Sequence, residues 1–321
     1  MQRREFMRLA GWSVAAFPMP AWAQPRRAPG KIGVVNMRPA TITVAIMRPV
    51  LQRLGYVEGE SLLLRNAEGD LRRLPDIIDE LIDQRVGVLI VVGPEALQAA
   101  HRATRTLPIV AIDLETDPVR SGLATSIGRP GGNITGLFLD QPTLAAKWVE
   151  LLLELAPQVN RVILHWDRTT GTDQLEVSKA AAALKGIEAV VLEMGTYVSF
   201  DQAFAQFVGI KSTGIIQLGS PGFSALAESF AAAALKHRLP TMTFLKVYAQ
   251  AGGLMSYGPN QEDYFPRAVA VADNILRGEK ASEMPIEHPT RLELVINGRT
   301  AKALGLIIPP TLRTRADEVI E

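Results

Sequence analysis

The sequence predicts an α/β protein with two doubly wound parallel-sheet lobes joined by several chain crossings. Two observations carry that expectation. Aliphatic runs such as 86–92 alternate with stretches whose apolar residues recur every three or four positions, and the alternation restarts after Arg129 to Gly136. Near-continuous aliphatic strands belong to sheets covered on both faces, and intervening amphipathic helices make such strands parallel.

Residues 31–36 read as the first strand, and Ile46, Val50 and Leu54 set a helix over 42–54 that Gly55 closes. Residues 62–64 are a second strand, and Leu74, Ile77, Ile78, Leu81 and Ile82 share one face of a helix over 74–84. The strand 86–92 ends in Gly93-Pro94 before a helix over 95–105. The strand 107–112 runs into Asp113-Leu114-Glu115-Thr116-Asp117-Pro118. In Arg129-Pro130-Gly131-Gly132-Asn133-Ile134-Thr135-Gly136, glycines able to take positive φ and a proline that fixes the entry predict a hinge. It lacks both a Gly-Lys-Ser/Thr ending and G-x-G-x-x-G spacing, so it is not read as a phosphate cradle.

Beyond it, helices over 143–155, 175–184, 200–208 and 224–237 alternate with strands over 161–166, 189–193, 214–218 and 239–245. A strand over 252–258, a helix carrying Phe265, Val269, Ala272 and Leu276, and a strand over 291–296 follow. Crossings near Gly136, Gly252 and Pro289 would divide the chain into one lobe of 31–136 plus about 252–288 and another of 137–251 plus about 289–321. Ligands of open α/β sheets bind beyond the carboxyl ends of the strands, so two facing lobes would share one cleft.

Composition narrows the partners. The 321 residues are 47% hydrophobic with a formal charge of +1, and Arg3, Arg4 and Arg8 against Glu5 place +2 of that in residues 1–23. The remainder, near −1, has no clustered basic excess of the kind nucleic acid requires. No cysteine is present, which excludes disulfides, thiolate metal sites and cysteine nucleophiles. Residues 1–23 form a basic segment, a short apolar run and Ala21-Trp22-Ala23, which reads as an export signal cleaved after Ala23, with 24–30 as a flexible leader. Its paired arginines before x-Phe-Met resemble a twin-arginine signal, an ordinary secretory signal being the alternative. Either places the mature chain in the periplasm, with no membrane insertion of its own.

The four histidines, at 101, 165, 237 and 288, have no metal-ligand spacing, so neither metal nor cofactor is expected. Ser220 in Leu218-Gly219-Ser220-Pro221-Gly222 lacks the glycine two residues earlier that a nucleophile elbow needs, and Pro221 removes an amide hydrogen. Asp113, Glu115 and Asp117 follow a strand, where they could hold an amine or simply form turns. Paired carboxylates also serve glycoside hydrolysis, but only at a separation that sequence does not reveal. Tyr257, Tyr248 and Phe244 near strand ends could stack on a ligand or fill core, and Trp148 among leucines is core. Asn36, Arg38 and Thr41 lie between the first strand and its helix, where a carboxylate could bind or the chain merely loop.

Several longer motifs point further. Gly55-Tyr56-Val57-Glu58-Gly59, Asp117-Pro118-Val119, Arg129 to Gly136, Ala251-Gly252-Gly253-Leu254-Met255-Ser256-Tyr257-Gly258 and Glu293-Leu294-Val295-Ile296-Asn297 occur in that order. Thr300-Ala301-Lys302-Ala303-Leu304-Gly305-Leu306, Pro309-Pro310-Thr311-Leu312 and Arg315-Ala316-Asp317-Glu318-Val319 complete the series. Together, from about Ile32 to Asp317, they resemble the ABC-transporter substrate-binding proteins that include tryptophan- and tyrosine-binding members. The resemblance implies a type I periplasmic-binding-protein fold, a monomer that captures a small molecule by clamshell closure, a permease partner in the inner membrane, and no catalysis. It places ligand contacts at Arg38, Thr41, Gly93, Pro94, Glu95, Ala96, Asp117, Asn133, Thr135 and Tyr257, with Ser220 and Phe244 beside them. His165-Trp166-Asp167 stands where relatives have Phe-Asn-Pro, Ser220-Pro221-Gly222-Phe223 where many have Asp-Pro-Phe-Phe, and Lys246-Val247 where they have Arg-Glu. The ligand therefore does not carry over from amino-acid binders. A sensory module for a membrane receptor and an exported α/β hydrolase are the alternatives.

Overall fold

The computed structural model describes residues 30–321 apart from 38–40, 114, 139–140, 210–211, 221–222, 224–225 and 290, and only the backbone of 41–42, 141–143 and 169. The first sheet contains β1 (Ile32–Asn36), β2 (Leu62–Asn66), β3 (Val88–Val92), β4 (Ile109–Asp113) and β5 (Ile134–Phe138). All five run parallel in the order β2-β1-β3-β4-β5. Period-2 alternation explains its two covered faces. Ile32, Val34, Val88, Ile90, Val110 and Ile112 share a core with Met47 and Leu51 of α1 (Thr41–Arg53). Val35, Leu89, Val91, Ile109 and Ala111 pack instead with α2 (Leu74–Asp83) and α3 (Pro94–Ala103).

The second sheet winds the same way and then continues. Its strands are β6 (Arg161–Trp166), β7 (Glu188–Glu193), β8 (Thr213–Gln217), β9 (Thr241–Thr243), β10 (Met255–Pro259), β11 (Leu292–Asn297) and β12 (Glu318–Ile320). Their order is β12-β11-β10-β9-β8-β6-β7, so β7-β6-β8-β9-β10 repeats the pattern of the first sheet. Helices α4 (Gln141–Leu155), α5 (Asp173–Leu184), α6 (Phe200–Ala205), α7 (Ala227–Lys236) and α8 (Lys246–Gln250) accompany it. After α9 (Gln261–Leu276) come α10 (Gly298–Leu304) and α11 (Pro310–Arg315). The β10–β11 pair is antiparallel, a departure from the all-parallel expectation. Its cause is connectivity: the chain leaves β10 at its carboxyl end, visits the first lobe through α9, and re-enters the second sheet from that same edge.

Two expected crossings move. The stretch Arg129 to Gly136 is no hinge: Ile134, Thr135 and Gly136 belong to β5, paired with Ile109, Val110 and Ala111 of β4. The chain changes lobe only between Phe138 and Gln141, across residues outside those described. Likewise β10 is a strand of the second sheet, so the return lies between Pro259 and Gln261, not near Gly252. Residues from Gln261 onward then serve the first lobe, where α9 packs on α1, β3, β4 and β5. The Phe138 amide donates to the Glu287 carbonyl at 2.9 Å, and the third passage falls between Glu287 and Leu292. Beside the second passage, Asn260 accepts from the Glu262 amide to cap α9 and donates to Glu293 Oε1.

Candidate functional site

Strand order reverses twice, between β1 and β3 and between β6 and β8, and each reversal opens a crevice at the carboxyl ends of the strands. In the first lobe Asn36 pairs with Val92, and Val92 with Ile112, so the ends of β1, β3 and β4 lie side by side. Gly93 precedes the Pro94 that starts α3, and its amide donates to the Ile112 carbonyl at 2.9 Å. Asp113 accepts the Glu115 and Thr116 amides on Oδ1, both at 3.0 Å, which bends the chain out of β4. Burial pushes the Asp113 carboxyl up, against those hydrogen bonds. Asp117 forms a second such turn, accepting the Val119 and Arg120 amides at 2.9 and 3.0 Å. Arg120 in turn pairs with Asp173 at the start of α5, a contact between the two lobes.

The second crevice is held by a side-chain network. Gln174 of α5 donates through Nε2 to the Gly219 carbonyl and accepts the Gly219 amide on Oε1, both at 2.9 Å, as a neighbouring strand would. Ser220 donates to Asp167 Oδ2 at 2.7 Å. His165, at the end of β6, accepts from Gln217 Nε2 on Nδ1 at 3.2 Å. Its Nε2 then carries the proton and donates to the Tyr197 hydroxyl at 2.6 Å. The ring stacks on Phe223 at 4.2 Å and meets Phe200 edge-on. Burial pushes the imidazole down to about 3, with Asp167 acting weakly the other way.

Two measurable consequences arise from this network. Gln174→Met keeps the chain length but strands the Gly219 amide and carbonyl, and should cost about 2 kcal/mol. Hydrogen exchange at 218–220 should accelerate; unchanged exchange there would mean that Gln174 does not clamp the loop. For His165 the unfolded chain binds a proton, near pH 6.5, that the folded protein refuses until about pH 3. Its contribution is present above 6.5 and is lost as pH falls toward 3. The wild-type stability, compared with His165→Gln, should drop by about 2 kcal/mol from pH 7 to pH 5 in urea titrations. A pH-independent difference would show that the ring takes up its proton alike in the folded and unfolded chain.

The sequence-predicted residues divide. Gly93, Pro94, Glu95 and Ala96 sit at the first crevice, Asp117 on the loop beside it, and Ser220 at the second. Thr41 begins α1 with its side chain outside those described, and Arg38 also lies outside them. Asn133 is at the opposite edge of the first sheet, where its amide donates to the Leu107 carbonyl at 2.8 Å. Thr135 is buried in β5 and donates to the Met284 carbonyl at 3.0 Å. Phe244 is core, edge-on to Trp148 with centroids 5.8 Å apart. Tyr257 is half-buried in β10. The sequence does not mark His165, Gln174, Tyr197 and Gln217 as one network, because no local spacing links residues up to 52 positions apart; the signal it offers is that three of them end or follow a strand.

Among the described residues no group of three or more histidines and carboxylates could hold a metal, and no helix is long and apolar enough to cross a membrane. A family model described as ABC transporter substrate binding protein matches residues 41–320. A tyrosine-binding protein of Clostridioides difficile (strain R20291) is 24% identical over 270 residues, covering 80% of this chain and 74% of that protein. The solved ABC domain in complex with L-Trp from Streptococcus pneumonia overlays with a TM-score of 0.80 at 22% identity, covering 91% of this chain and 99% of that one. A ligand-free, open substrate-binding protein with adhesive properties from Clostridium difficile overlays at 0.63, with 22% identity and the same 91% and 99% coverage. These neighbours share the two-lobed type I periplasmic-binding fold. Matched over most of its length by the family model, the chain belongs to the ABC transporter substrate-binding protein family.

Proposed function

We propose that the protein is the exported solute-binding component of an ABC importer, and that it captures one small organic molecule between its lobes and presents it to an inner-membrane permease. The observation that carries this reading is the pairing of two sheet-reversal crevices in one chain that passes between lobes three times. Several adjacent crossings permit closure about a common axis, and a ligand touching both lobes favours the closed state in proportion to its greater affinity for it. Gly93, Pro94, Glu95, Ala96 and Asp117 would contact the ligand from the first lobe, with Arg38 and Thr41 nearby. Ser220 and Tyr257 would do so from the second. Residues 1–23 would direct export to the periplasm, and the mature chain would act as a monomer. Native mass spectrometry after incubation with a small-molecule cell extract, followed by small-angle scattering, tests the reading. Retention of one compound with a smaller radius of gyration is the expected result. An extract compound that is consumed, with no retained species, would favour an enzyme.

A further inference from the structure

The two lobes touch sparsely. Among the described residues no helix or strand of one packs at length along a helix or strand of the other. Domains joined in this way move relative to one another by default, so small energies decide the angle between them. Away from the three passages, the ion pair of Arg120 and Asp173 reaches across.

Both partners are held in place for that contact. On the first lobe Asp113 takes the amides of Glu115 and Thr116, and Asp117 those of Val119 and Arg120. Ser121 Oγ donates to the Asp117 carbonyl at 2.7 Å, and the Ala124 amide to the Pro118 carbonyl at 2.9 Å. The segment leaving β4 is therefore a braced arm that carries Arg120. On the second lobe Asp173 opens α5, and the next residue, Gln174, makes the two bonds to Gly219 that hold the second crevice. Glu176, the other acid of that first turn, is engaged by Lys179 at 2.9 Å.

We propose that Arg120 and Asp173 form a latch that biases the free molecule toward the closed arrangement and, on the solute-binding reading above, adds to the hold of a bound ligand on that state. Within one rigid domain an ion pair this exposed, with side chains 68% and 51% accessible, contributes little. Between lobes the case differs: opening parts the two side chains, so the whole energy of the pair enters the closed-to-open ratio. Removing the pair should lower that ratio about two- to five-fold.

The chain has no cysteine, so Arg72→Cys and Val198→Cys place two spin labels at chosen points. Both positions are exposed and lie just beyond β2 and β7, far across each sheet from β5 and β10, where the chain passes between lobes. Double electron-electron resonance of the ligand-free protein gives the distribution of their separation. The expected result is a short component that shrinks in Arg120→Glu and in Asp173→Arg and returns when the two are combined. Raising salt to about 1 M should shrink it in the wild type and leave Arg120→Gln unmoved. Melting curves confirm that each variant is folded. A distribution indifferent to the single substitutions, or one that the charge exchange does not restore, would overturn the latch. Neither result touches the solute-binding reading, which stands or falls on retention of a compound in native mass spectrometry.

Discussion

Gly136→Ala should destabilise the protein by more than about 3 kcal/mol, or prevent accumulation of soluble protein, because its backbone is held where no side chain fits. Gly136 lies within β5 at φ +132°, and a Cβ there would stand 2.1 Å from the Ala111 carbonyl oxygen and 2.5 Å from the Ala111 nitrogen. Both obstructing atoms are backbone of the adjacent strand, so no rotamer change relieves the overlap. Conformational strain at a positive φ adds to it. Gly132, four positions earlier in the same motif, is exposed, and a methyl group there would meet none of the described residues within 4 Å. Gly132→Ala should therefore stay within about 0.5 kcal/mol of wild type. Thermal melts of the pair decide the matter, and similar behaviour of the two variants would show that β4 and β5 are not so closely apposed.

Trp148→Ala should cost about 3–5 kcal/mol, the range for emptying a large buried aromatic site. Trp148 is fully buried in α4, edge-on to Phe244, and its Nε1 donates to the Tyr257 carbonyl at 2.8 Å. The ring fills the space between helix and sheet while its one polar atom ties α4 to β10. Trp148→Phe separates the two roles. It keeps most of the apolar volume and removes the donor, so about 1–3 kcal/mol should be lost. Urea unfolding measures both changes, and a phenylalanine variant as stable as wild type would mean that the indole N–H contributes nothing.

Regular elements are legible in the sequence where burial and period coincide. The aliphatic run 86–92 contains β3, and Leu74, Ile77, Ile78 and Leu81 are buried on one face of α2. Glycine misleads. Gly131, Gly132 and Gly136 read together as a chain breaker, yet Gly136 is an interior strand residue selected by close approach to Ala111. Residues 239–245 read as one strand because all seven are buried, although β9 takes only Thr241 to Thr243 and Lys246 then begins α8. The candidate site is legible in part. Gly93 and Asp113 can be placed because strand ends are visible in sequence, whereas Asn133 lies at the other end of its sheet and Phe244 in the core. Which face a residue near a strand presents is set by tertiary register, and the network joining His165 to Gln217 and Gln174 to Gly219 exists only after strands and helices far apart in sequence have met.

The course of α9 has a consequence for the nascent chain. All five strands of the first sheet have been synthesised by Phe138, but one face of that sheet is roofed partly by Ala268, Val269 and Ala272, which emerge only after most of the second lobe. Until then Ile90, Val110 and their neighbours lack that cover. The lobe begun first is thus completed late, and a polypeptide ending before Gln261 leaves an apolar strip open to chaperones, proteases or its own kind.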